Sequence, residues 1–87
     1  MQKVTTVSTL DGYKFKAVEA IKTTNVDASN GGSLITHTLA LEYLEDKEIE
    51  WFSSHRGSSF QLLVDGHEET YLLQSVQGKC VQLKEWD

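Results

Sequence analysis

Five glycine-centred turn signals and a complete lack of proline divide this chain of 87 residues into segments of strand length. The signals are Asp11-Gly12, Asn30-Gly31-Gly32, Arg56-Gly57, Asp65-Gly66 and Gln77-Gly78. Asp-Gly and Asn-Gly favour tight hairpin loops, because type I′ turns need positive φ at both central residues. Most of the segments between them alternate apolar with polar residues, the period of a half-buried strand. No repeat, low-complexity tract or stiff linker interrupts the pattern, so residues 1–87 read as one domain.

Alternation is clearest in the C-terminal half. Phe60, Leu62 and Val64 precede Asp65-Gly66, and Tyr71 and Leu73 follow it. A two- or a four-residue loop keeps Phe60, Leu62, Tyr71 and Leu73 on one face, since cross-strand pairing preserves parity. For the next turn, a three-residue loop Val76-Gln77-Gly78 sets Val81 opposite Leu73 and Leu83 opposite Tyr71. These strands form a three-stranded meander. Upstream, Val4–Thr9 and Tyr13–Ile21 flank Asp11-Gly12. Leu34–Leu44 puts Ile35, His37, Leu39, Leu41 and Tyr43 on one face. The stretch 38–52 is ambiguous: Leu39–Glu45 has helix propensity, whereas Ile49, Trp51 and Phe52 suit a hairpin whose tip is Asp46-Lys47-Glu48. The hairpin is preferred. The expected fold is all-β, about six short antiparallel strands in a small barrel or sandwich; the alternative is α+β with one helix near 38–52.

Thirteen acidic against eight basic residues give a net charge of −5. That sign repels phosphate backbones, whose binding depends on Lys and Arg displacing counterions. The stripe Lys14, Lys16, Lys22 does not outweigh the whole field. Direct nucleic-acid binding is therefore not expected; a basic protein partner is. Cys80 is the sole cysteine, so no internal disulfide can form, and a reducing, cytoplasmic setting is expected (the host cytoplasm if the chain is viral). Neither a signal-peptide h-region nor a membrane span is legible.

Chemistry-bearing patterns are sparse. His37, His55 and His67 lack the tight ligand spacing of a zinc site. Ser53, Ser54 and His55 lack a marked orienting carboxylate, and Cys80 reads as an inert strand thiol. Gly31-Gly32 is not followed by the Lys-Ser/Thr of a phosphate-binding loop. Neither enzyme activity nor a metal or cofactor is expected. The sharpest feature is an acidic tract with embedded aromatics: Glu42, Tyr43, Glu45, Asp46, Glu48, Glu50 and Trp51. Aromatic residues dominate interface energetics, and acidic complementarity speeds docking. Trp86 is either a plug over the barrel end or an exposed contact.

The expected function is a non-enzymatic protein-binding module. It would be a small acidic inhibitor, of the kind frequent among bacteriophage and mobile-element products, that blocks a basic groove of a nucleic-acid-handling enzyme or complex. The alternatives are a structural β module of an assembly such as a virion or tail, with homo-oligomer contacts, and a small ligand-binding barrel.

Overall fold

The computed structural model describes residues 2–27, 32 and 34–86. In chain order its elements are β1 (Gln2–Lys3), β2 (Val7–Thr9), β3 (Glu19–Asp27), β4 (Leu34–Glu42), α1 (Asp46–Ser54), β5 (Phe60–Val64), β6 (His67–Gln77) and β7 (Cys80–Glu85). The seven strands form one antiparallel sheet in the order β1-β3-β4-β7-β6-β5-β2. The all-β expectation holds, with seven strands rather than about six and one short helix.

β1 and β2 are nearly consecutive in sequence yet occupy opposite edges of the sheet. The segment between them, Val4-Thr5-Thr6, bridges the two edges and curls the sheet into a half-barrel. Asp65 holds that bridge: its Oδ1 accepts the Thr5 and Thr6 backbone N–H groups, both at 2.8 Å, and its own N–H donates to the Thr6 carbonyl at 2.9 Å. Asp65 and Gly66 both take positive φ, 49° and 85°, as a type I′ turn requires. The expected Asp65-Gly66 hairpin is therefore present, and the same aspartate locks the curl.

Inward-facing residues fill the half-barrel: Leu39, Leu62, Tyr71 and Leu83 are fully buried, with Val7, Ala20, Leu41, Phe60, Val64 and Val81 beside them. Phe60 pairs with Tyr71 as parity demanded. The β6–β7 register differs from the expected one. The loop is Gly78-Lys79, with Gly78 at φ 60° in the first central position, so Cys80 pairs with Gln77 and Val81 with Val76. A two-residue loop alone would set Leu83 opposite Gln74. A bulge at Gln74 absorbs one residue, and Leu83 then faces Leu73 and returns to the core.

The segment 46–54 is a helix, not the expected hairpin tip. Two local features favour it. Glu48 at the third helical position reaches back to accept the Glu45 N–H at 2.9 Å, and Asp46 and Glu48 lie in the first turn, where the helix dipole favours carboxylates. The third is tertiary: Phe52 and Leu44 are fully buried against one end of the barrel. Leu34–Glu42 remains the expected strand, so the helix follows that strand and does not replace it.

The β2–β3 region also departs from a simple hairpin. After β2 the chain turns at Leu10–Gly12 and makes a single bridge, Ser8 with Lys14, before β3 begins at Glu19. The Asn30-Gly31-Gly32 turn lies, apart from Gly32, outside the described residues. β3 and β4 pair over nine residues, but β7 covers only Thr38–Leu41 of β4 and β1 only Ile21–Lys22 of β3. The rest of that hairpin extends past its neighbours as a two-stranded arm.

Candidate binding surface

The acidic tract divides into parts with different fates. Glu48 leaves the surface altogether: it is 1% exposed. Its Oε2 accepts the Lys16 N–H at 2.7 Å and the Tyr13 hydroxyl at 3.0 Å, while Oε1 takes the Glu45 N–H. This carboxylate is an internal strut between the β2–β3 loop and the start of α1. Trp51 is half-buried in a ring cluster with Phe15, Phe52 and Phe60, at centroid distances of 5.1 to 5.5 Å, and stacks on His55 at 4.1 Å. Both residues were expected at a contact surface. Glu48 does not reach solvent, and Trp51 reaches it only in part.

The remaining residues gather at the end of the barrel that α1 covers. Glu45, Asp46 and Glu50 are exposed, and Asp46 and Glu50, four residues apart, share one helix face. Glu45 makes loose ion pairs with Lys16 and Lys47, both at 3.7 Å and both solvated. Tyr43 is 61% exposed and holds φ at 61°, a left-handed conformation costing a tyrosine about 1–2 kcal/mol. The Leu44 N–H bonds the Lys79 carbonyl at 2.9 Å, which fixes the chain beyond this kink. The kink breaks the alternation of β4 and turns Tyr43 outward instead of following Leu39 and Leu41 into the core.

Two residues that sequence reasoning missed complete this rim. Glu19 pairs directly with Glu42 across β3 and β4, and Val18, 76% exposed, donates its N–H to the Glu42 carbonyl at 3.0 Å. Like charges directly opposite each other in a sheet are destabilising. The β3–β4 register that creates this pair depends on a connection whose length the sequence leaves open.

At the opposite end the inner face carries a half-buried polar group of different character. Lys22 Nζ donates to Glu69 Oε2 at 2.6 Å, and the Tyr71 hydroxyl donates to Glu69 Oε1 at 2.6 Å. Desolvation pushes the Glu69 carboxyl up, but the Lys22 and Tyr71 hydrogen bonds and the Lys22 and His37 charges outweigh it and hold it below the ordinary value. Burial, then the Glu69 carboxylate, then the Glu85 charge hold the Tyr71 phenol far above its ordinary value. Glu85 Oε2 is buried without a hydrogen-bond partner among the described residues. Desolvation first, then the Glu48 hydrogen bond and charge, raise the Tyr13 phenol as well.

Two of the three histidines, His37 and His55, are tied up locally. His37 Nδ1 lies 3.0 Å from Thr24 Oγ1, and His55 Nδ1 lies 2.6 Å from the Trp51 carbonyl and 3.2 Å from Ser54 Oγ. Among the described residues no group of three or more His, Cys, Asp or Glu is placed to hold a metal ion. No described helix is long and apolar enough to cross a membrane. Trp86 is 55% exposed, while its backbone N–H docks on the Thr70 carbonyl at 2.9 Å. Its indole faces outward and does not plug the barrel end. Comparison with protein-family models, curated proteins and solved structures found no match.

Proposed function

We propose that this chain is a non-catalytic protein-binding module that docks an acidic, tyrosine-bearing rim on a basic surface of another protein. In its sharpest form it is a small inhibitor that occupies the basic groove of a nucleic-acid-handling enzyme or complex. One observation carries the reading. Tyr43 is held outward in a left-handed conformation beside a Glu19–Glu42 pair that repels itself across the sheet. Both features cost stability, and strain of this kind concentrates at functional sites. A basic partner relieves the repulsion, while the Tyr43 ring and the Val18 side chain supply apolar contact.

The test uses the wild-type chain and two variants as matched baits in a host lysate. One variant reverses the rim (Glu19→Lys, Glu42→Lys, Asp46→Lys); the other reverses Glu68, exposed on β6 and away from it. A basic protein retained by the wild type and by Glu68→Lys, eluted by salt and lost from the rim variant supports the proposal. Equal capture by wild type and rim variant overturns it.

A second reading, a structural β module that contacts its own copies, is favoured by the β3–β4 arm, where Val26, Leu34 and Ile35 are 65%, 63% and 54% exposed. A strict monomer at high concentration by light scattering rejects it.

A further inference from the structure

Between the β2–β3 loop and α1 runs a groove of about 250 Å³, lined by Asp11, Tyr13, Phe15, Lys47, Glu48 and Trp51 among others. Small-molecule sites run to roughly 300–1,000 Å³. This one is the size of a single side chain, not of a cofactor.

Three observations identify the charge it accepts. Its walls are aromatic: Phe15 packs edge-on against Tyr13 and Trp51, each at 5.4 Å between centroids. Behind them lies Glu48, a carboxylate 1% exposed whose three donors, the Tyr13 hydroxyl and the Lys16 and Glu45 N–H groups, are all neutral. Buried charges are ordinarily paired. This one has no salt bridge among the described residues, so its field reaches into the groove. At the mouth stands the exposed carboxylate of Asp11, held in place by the Thr9 hydroxyl. Aromatic faces and carboxylates together favour a cation.

The chain already supplies one. Lys47 Nζ lies 5.7 Å from the centre of the Tyr13 ring, on an exposed side chain whose one ion pair among the described residues is the loose 3.7 Å contact to Glu45. The geometry points to a receptor slot for the guanidinium of an arginine side chain, with Lys47 as its intramolecular placeholder. Arginine fits better than lysine, because its flat group stacks on rings while its fork meets a carboxylate. The slot rests on the proposed basic partner and names one of the side chains that partner presents.

The full-length chain carrying Trp86→Phe leaves Trp51 as the only tryptophan, and its emission reports on the groove. The probe is N-acetyl-L-arginine amide, with the uncharged N-acetyl-L-citrulline amide as control, at constant ionic strength. The arginine probe is expected to change Trp51 emission saturably with Kd on the order of 1 mM, and citrulline about tenfold more weakly. Asp11→Asn weakens arginine about fivefold, while Lys47→Met, which vacates the placeholder position on an exposed side chain, tightens it about threefold. That gain cannot come from damage to the fold. Equal response to citrulline, or no tightening on Lys47→Met, overturns the slot. Arginine binding by a chain whose rim variant captures as well as wild type overturns the rim alone; capture lost on rim reversal without arginine binding overturns the slot alone.

Discussion

Replacing Glu48 with alanine withdraws the acceptor from three donors at once: the Tyr13 hydroxyl at 3.0 Å, the Lys16 N–H at 2.7 Å and the Glu45 N–H at 2.9 Å. A hydrogen bond to a charged group contributes about 1.5–3 kcal/mol net, and a buried donor left unmet costs about 1–3 kcal/mol. Tyr13 and Lys16 lie near solvent, so water recovers part of two of these bonds. The expected loss is about 3–4 kcal/mol. A domain of this size has roughly 4–13 kcal/mol in total, so the change consumes a large share. Glutamine fills the same space and keeps one oxygen. With that oxygen toward Tyr13 and Lys16, its amide meets the Glu45 N–H donor to donor, and only the helix cap is lost, about 1–2 kcal/mol. Urea unfolding followed by circular dichroism measures both, with Glu50→Ala on the exposed face of α1 expected within about 0.5 kcal/mol of wild type. A double-mutant cycle with Tyr13→Phe should show coupling of about 1 kcal/mol. If Glu48→Ala matches Glu50→Ala, Glu48 is not a strut and this account of the helix start fails.

Four further outcomes follow from the same geometry. Because Glu69 has a depressed carboxyl pKa when folded, its contribution is complete above the unfolded value of 4.5 and drains as pH falls through the folded one. Urea midpoints between about pH 6 and pH 3 should therefore fall more steeply in wild type than in Lys22→Met. At the alkaline end the sign reverses: the raised phenols of Tyr13 and Tyr71 stabilise the fold below 10.0, and that support is lost as pH rises through their folded values. Tyr43→Gly should hold stability within about 1 kcal/mol, because relief of the left-handed strain offsets the entropy cost of glycine, while partner capture is lost; a larger drop would show the ring to be structural. Asp65→Ala should cost about 2–3 kcal/mol and speed amide exchange at Thr5 and Thr6, with Asp65→Asn costing under about 1 kcal/mol, since asparagine keeps an acceptor and tolerates positive φ.

Where the sequence was legible, parity and a turn dipeptide acted together. Phe60, Leu62 and Tyr71 fall on one face because a two- and a four-residue loop at Asp65-Gly66 share the same parity. The β6–β7 turn departs from the expected register because loop length and bulge compensate each other. A three-residue loop without a bulge and a two-residue loop with Gln74 set aside both return Leu83 to the core, and only the backbone distinguishes them. The helix at Asp46–Ser54 was hidden differently. Ile49 and Trp51 look like alternating strand residues, and the feature that settles the matter, Glu48 capping Glu45, is indistinguishable in sequence from one more surface acid. The closure of the sheet by residues 2–9 was out of reach. Two short strands on opposite edges leave no periodic trace, and the lock that joins them sits 60 residues away in Asp65. Of the candidate surface, Glu42, Tyr43, Glu45, Asp46 and Glu50 were legible from composition. Val18 and Glu19 were not, since they join the rim only through the β3–β4 register.

The acidic residues of this chain therefore do not act as one field. Glu69 is consumed by Lys22 and Tyr71, and Glu48 by three neutral donors, so neither offers a partner a free carboxylate at the surface. The carboxylates left toward solvent at the helix-covered end of the barrel are Glu19, Glu42, Glu45, Asp46 and Glu50, arranged around Tyr43 and Val18. The nine-residue helix serves both ends of this division. Its inner face, through Glu48 and Phe52, closes the barrel; its outer face, through Asp46 and Glu50, displays charge. Because the two faces are separate, binding and folding should separate under mutation. Substitutions at Asp46 and Glu50 should change association at constant stability, and substitutions at Glu48 and Phe52 should change stability first. A binding defect that always tracked a fall in unfolding free energy, whichever face was altered, would mean that the rim has no role of its own.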